Sequence, residues 1–117
     1  MRNCTTSVLE QGNTRRGNFE TEPFEAGWAR EAIWFLRLLE PVPPGAFRLK
    51  LGPQISPDGL LWCDAPDTEP LIIEGPVGAR DVAALRLAHF GNWLRLRVEP
   101  DDAALEIKVL IHLVLKE

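Results

Sequence analysis

The chain is expected to be all-β: a single antiparallel sandwich or jelly roll of about eight strands. Three observations point there. Nine glycines and ten prolines fall mostly between apolar runs, the punctuation of short strands and turns. Several runs alternate apolar and polar residues with a period of two. Helical caps followed by a sustained 3.6-residue stripe are scarce. With 117 residues the chain suits one domain. Residues 18–117 form the expected sandwich, and residues 1–17 a flexible N-terminal arm or an extra edge strand.

The elements follow in order. "NFETEPF" is a first strand. "GWAREAIWFLRLLE", Gly27 to Glu40, has composition that would suit a helix. Its two-sided apolar run Ile33-Trp34-Phe35-Leu36 and its stop at "PVPPG" favour a buried strand, with Trp34 in the core. "AFRLKL" sets Phe47, Leu49 and Leu51 against Arg48 and Lys50, one face dry and one wet. "LLWCD" and "PLIIEG" are short strands. "VAALRLAHF" and "WLRLRVE" flank Gly91-Asn92, the signal of a two-residue hairpin. "ALEIKVLIHLVLKE" closes the chain, with Leu105, Ile107, Val109, Ile111, Leu113 and Leu115 on one face. Its other face turns apolar after Lys108, mixing Leu110, His112 and Val114. Such a strand is central in its sheet, or buries its outer face in a partner subunit.

Composition narrows the function classes. At 45% hydrophobic and 26% charged the chain reads as an ordinary globular protein. Its net charge of −4 argues against a nucleic-acid partner. No apolar stretch approaches ~18 residues, so no membrane span is expected. The N-terminus lacks the apolar run of a signal peptide. The default expectation is cytoplasmic, with cell-surface or coat association as the alternative. Cys4 and Cys63 make no disulfide framework, although a bridge between them stays open. Asn3-Cys4-Thr5 fits the glycosylation sequon, relevant only in a secretory setting.

Catalysis needs a nucleophile beside a base, paired carboxylates or converging metal ligands. The sequence supports none of these, so no enzyme, cofactor or metal is expected. His89 and His112 stand singly on strands, without HxH, HExxH or CxxC patterns. Ser7 and Ser56 lack a nucleophile-elbow context. Asp58, Asp64, Asp67 and Glu69 gather near one turn, and turn formation explains them better than calcium. "GPVGAR" is no phosphate loop.

Surface recognition is what remains. Alternation places Trp93, Arg95 and Arg97 on one face, opposite Leu94, Leu96 and Val98. An aromatic ring beside two guanidiniums can stack on a sugar or a partner side chain and can hold a carboxylate or phosphate. The alternative is that Trp93 caps a core edge while the arginines pair with Glu99 or cross-strand acids.

"QISPDGLLW" carries Pro-Asp-Gly turn chemistry, with Trp62 following three residues after Gly59. It resembles the "S-x-D-G-x-x-W" hairpin of discoidin-like (coagulation factor 5/8 type) domains, among the galactose-binding-like jelly rolls. "HFGNWLRLRV" and "LEIKVLIHLVL" resemble later strands of that family. The same elements are similar to small bacterial β-sandwich domains built around "SPDG..W" and a later "F...LRL" strand, over more of the chain. The resemblance implies a jelly-roll fold and carries over no sugar or lipid site. Trp62 is expected to anchor its returning strand in or beside the core.

The function expected is a non-catalytic interaction or assembly module, a homo-oligomer or a binder of a protein partner. The alternative is a carbohydrate-binding module using Trp62, Trp93, Arg95 and Arg97.

Overall fold

The computed structural model describes residues 3–117 and, among them, shows ten strands in two antiparallel sheets and no helix. The first sheet runs β1 (Cys4–Arg16), β10 (Glu106–Lys116), β4 (Glu31–Leu38), β8 (Ala83–Ala88). Two strands form the centre of the second: β9 (Trp93–Pro100) and β5 (Arg48–Ser56). On the far side of β9 lie β2 (Phe19–Glu20) and β3 (Phe24–Glu25); on the far side of β5 lie β6 (Cys63–Asp64) and β7 (Leu71–Glu74). Each edge of that sheet is one strand broken in two, so the ten strands fill eight positions, four per sheet. Outside the broken edges, only the β5–β6 hairpin stays within one sheet; every other connection crosses the sandwich. This is the expected jelly roll, and the Gly27–Glu40 stretch contributes strand, not helix.

The breaks have local causes. Pro23 lies between β2 and β3, and Pro66 and Pro70 between β6 and β7, where a missing N–H is tolerated at an edge. At the first break Thr21 takes over the ladder: its N–H donates to the Leu96 carbonyl, and its hydroxyl accepts from the Leu96 N–H, both at 2.9 Å. Pro53 lies inside β5, normally a forbidden place. Its carbonyl accepts from Ala65 N–H on the β6–β7 side, so its missing donor falls in the gap between those strands. The β5–β9 ladder runs on undisturbed.

Alternation builds the core. Trp34, Leu36 and Leu38 of β4, Leu85 and Leu87 of β8, and Ile107 through Leu115 at every second position of β10 face inward from the first sheet. Leu49, Leu51, Leu94, Leu96 and Val98 meet them from the second. β1 has register shifts between Val8 and Glu10 and between Gln11 and Thr14. Bulges of this kind blunt an edge strand. Glu10, opposite inward-facing Ile111, is buried and ion-paired to Arg15.

Two expectations need correction. Gly91-Asn92 does not close a hairpin, because β8 and β9 lie in different sheets. Their apolar residues, Leu85-Leu87 and Leu94-Leu96, are buried on the inner faces of different sheets rather than side by side in one. The crossover turns through His89, whose φ is 57°. "LLWCD" is strand only at Cys63–Asp64. Leu60 and Leu61 donate their N–H groups to the Asp58 carboxylate, which removes them from the ladder. They are 80% and 76% exposed.

Candidate functional site

The second sheet carries the four residues singled out from the sequence. Trp93, Arg95 and Arg97 lie on its outer face, across from Ser56, Gln54 and Gly52 of β5. Trp62 reaches the same face from the 57–62 loop. The loop is set by its own polar groups. Ser56 Oγ accepts from the N–H of Asp58 (3.2 Å) and Gly59 (2.8 Å). Gly59 takes φ 80°, and a Cβ there would stand 3.2 Å from the Trp93 ring. The turn therefore lies directly on Trp93, and the chain returns with Trp62 over the sheet's solvent side, outside the core in which it was expected to be anchored or beside which it was expected to lie.

Arg95 and Trp62 are brought together: the guanidinium stands 4.4 Å from the ring centroid. Arg95 Nε donates to Gln54 Oε1 at 2.7 Å, and Gln54 Nε2 donates to Asp64 Oδ1 at 3.0 Å. Gln54 is only 7% exposed, so its amide is held by both neighbours. Arg97 is different. Its Nε is 2.7 Å from Glu99 Oε1, in an ion pair without aligned hydrogen-bond geometry, and its Nη1 is 3.6 Å from Glu20 Oε1. That pairing with a flanking and a cross-strand acid is the structural alternative weighed for this face. Among the described residues no carboxylate lies within ion-pair distance of Arg95. Where β6 and β7 part, a cleft of about 200 Å³ opens above Gly52, walled by Lys50, Asp64, Thr68, Arg97 and Glu99.

The acids around the turn do not converge. Asp58 is occupied by backbone N–H groups and Asp64 by Gln54. Hydrogen bonds from Leu60 and Leu61 hold the Asp58 carboxyl below its ordinary value. Among the described residues no three His, Cys, Asp or Glu side chains are grouped to hold a metal. Cys4 and Cys63 are exposed free thiols on different sheets.

The first sheet shows a second candidate surface. Register aligns its outer residues in rows: Thr6, Val114, Ile33 and Arg86; then Val8, His112, Phe35 and Ala84; then Gln11, Leu110 and Arg37. β10 is interior to its sheet, one of the two placements its pattern offered, yet none of the described residues covers this side. Ile33, Phe35, Leu110 and Val114 are half-buried and Val8 is 50% exposed. Lys108, Lys116, Glu31, Arg37 and Arg86 rim the lane. The closing strand signalled this surface. The contributions of Ile33 and Phe35 were visible in the two-sided run of β4. Those of Val8 and Ala84 were not, because only register brings them alongside. Asp64 was singled out only as one of the acids near the turn, and Gln54 carried no signal of its role as a support for Arg95.

No protein-family model matches the chain, and no curated protein matches it in sequence. Among solved structures it is similar to the SPBc2 prophage-derived protein YomS, with TM-score 0.47 and 10% identity over 100% of this chain and 96% of that one. It is also similar to dimeric latent PorU from Porphyromonas gingivalis, with TM-score 0.42 and 12% identity over 97% of this chain and 13% of that one. A third is from the Bacillus endospore appendages, a family of disulfide-linked pili, with TM-score 0.33 and 13% identity over 98% and 83%. None of the three is a discoidin-like domain, and likenesses this distant carry no functional argument.

Proposed function

We propose that the chain is a non-catalytic interaction module that assembles by closing the outer face of its four-stranded sheet against a second copy. The observation that carries this is the uncovered apolar lane Val8, Leu110, Val114, Ile33 and Phe35 across neighbouring strands. Contiguous apolar surface of this kind marks a contact site. Strands ~4.8 Å apart and ~3.4 Å per residue make the face on the order of 600 Å². Two such faces bury roughly 1,200 Å², the lower bound of a stable specific interface. A two-fold arrangement pairs the same patch with itself and closes the assembly.

Sedimentation equilibrium at micromolar concentration is expected to show a dimer or larger closed species. Phe35→Glu and Val114→Glu are expected to give folded monomers. Ile72→Glu, on the opposite sheet, leaves the assembly unchanged. A wild-type monomer would overturn the reading. A second reading, a carbohydrate-binding module, is supported by the Trp62–Arg95 stack beside an open cleft. A glycan array with Trp62→Ala and Trp93→Ala tests it; binding indifferent to both changes rejects it.

A further inference from the structure

The opposite face of the sandwich supports a separate inference, independent of self-association. We propose that Arg95 anchors a binding site for a small hydroxylated carboxylate, whose body lies in the cleft above Gly52.

Three features point there. First, Arg95 is preorganised. One face of its guanidinium is stacked on Trp62 and its Nε is held by Gln54, leaving the terminal Nη1–Nη2 edge as the remaining donor pair. That edge matches a carboxylate in two parallel hydrogen bonds. Second, the support is buried and specific. Gln54 donates its amide to Asp64, so its oxygen is the atom turned to Arg95. Arg97, two residues along the same face, is neutralised by Glu20 and Glu99, whereas no carboxylate among the described residues neutralises Arg95. Third, there is room. Gly52 has no atom within 4 Å of where a Cβ would stand, and the cleft above it is about 200 Å³. Asp64 belongs both to the Gln54 relay and to the cleft wall, so the anchor and the cleft adjoin.

Charge selects the ligand class. Lys50 and Arg97 face Asp64 and Glu99 in the cleft wall, so the unpaired charge of Arg95 beside it is the one left for a ligand. A single negative charge is accommodated there, and a phosphate dianion beside Asp64 and Glu99 is disfavoured. Thr68 and the wall carboxylates give hydroxyl groups of a ligand their partners.

The test is ¹H–¹⁵N NMR of the Arg95 Nε–H and the Trp62 indole N–H during titration with gluconate, acetate, glucose and inorganic phosphate. Gluconate is expected to move both signals, acetate to move them at higher concentration, and glucose to leave them in place. Arg95→Lys keeps the charge but loses the fork and is expected to weaken gluconate at least about tenfold. Gln54→Leu, read on the Trp62 signal, is expected to weaken it as well. Glucose acting as strongly as gluconate, phosphate binding more tightly, or gluconate binding indifferent to Arg95→Lys would each overturn the proposal. A glutamate-containing peptide that outcompetes gluconate would also overturn it, making Arg95 a protein-docking residue.

Discussion

The guanidinium of Arg95 is stacked 4.4 Å from the centroid of the Trp62 ring, which fastens the 57–62 loop to the outside of the second sheet. The contact joins a loop residue to a central strand. It explains how a segment with two fully presented leucines still has a defined path. Half-exposed cation–π pairs contribute about 0.5–1 kcal/mol. Trp62→Ala is expected to cost roughly 1–2 kcal/mol in urea unfolding, because packing is lost with the pair. A double-mutant cycle with Arg95→Ala should return a coupling of about 0.5–1 kcal/mol. A coupling near zero would show that the stack is not energetically real.

Asp58 governs the same loop through its backbone partners. Its carboxyl lies below the ordinary value of 3.8 because Leu60 and Leu61 donate to it. A depressed folded value means that the contribution is present above the unfolded value and is lost as pH falls through the folded one. The window therefore lies at and below pH 3.8. Asp58→Asn keeps an acceptor oxygen and removes the titration. The stability difference between the two proteins should be constant above that window and shrink as the pH falls through it, in acid unfolding curves.

Gly75 tests the packing under the β7 edge. A Cβ there would overlap the ring of Phe47, which is buried. Gly75→Ala is expected to cost about 1–3 kcal/mol by overpacking. Combining it with Phe47→Leu should cost less than the sum of the single changes, measured by thermal unfolding.

Trp34 separates volume from polarity in the core. Its side chain is fully buried, and its indole N–H has no hydrogen-bond partner among the described residues. Trp34→Ala should cost about 3–5 kcal/mol through the cavity it leaves. Trp34→Phe should cost much less, because it also removes an unsatisfied donor. Equal losses in denaturant unfolding would mean that the indole N–H is satisfied in solution.

The strands and their inward residues were legible in the sequence. Period-two alternation in β5, β9 and β10 named Leu49, Leu51, Leu94, Leu96, Val98 and the odd-numbered residues from Ile107 to Leu115, and all are buried. The apolar outer face of β10 was legible too, since Leu110 and Val114 break the polar alternation begun by Lys108. The turn at Pro57-Asp58-Gly59 was readable from residue chemistry alone.

Tertiary structure decided the rest. Alternation says which side of a strand is dry, but the period is the same whatever strand lies beside it. The sequence could therefore suggest a hairpin at Gly91-Asn92, whereas in the closed sandwich Leu85 and Leu87 are buried from one sheet and Leu94 and Leu96 from the other. The placement of Trp62 on the solvent side followed from Asp58 drawing Leu60 and Leu61 out of the ladder. The Gln54–Arg95 pair exists only because β5 and β9 align in that register. Which face of each strand is buried is a local property of this sequence; which residues meet across strands is set by how the whole core closes.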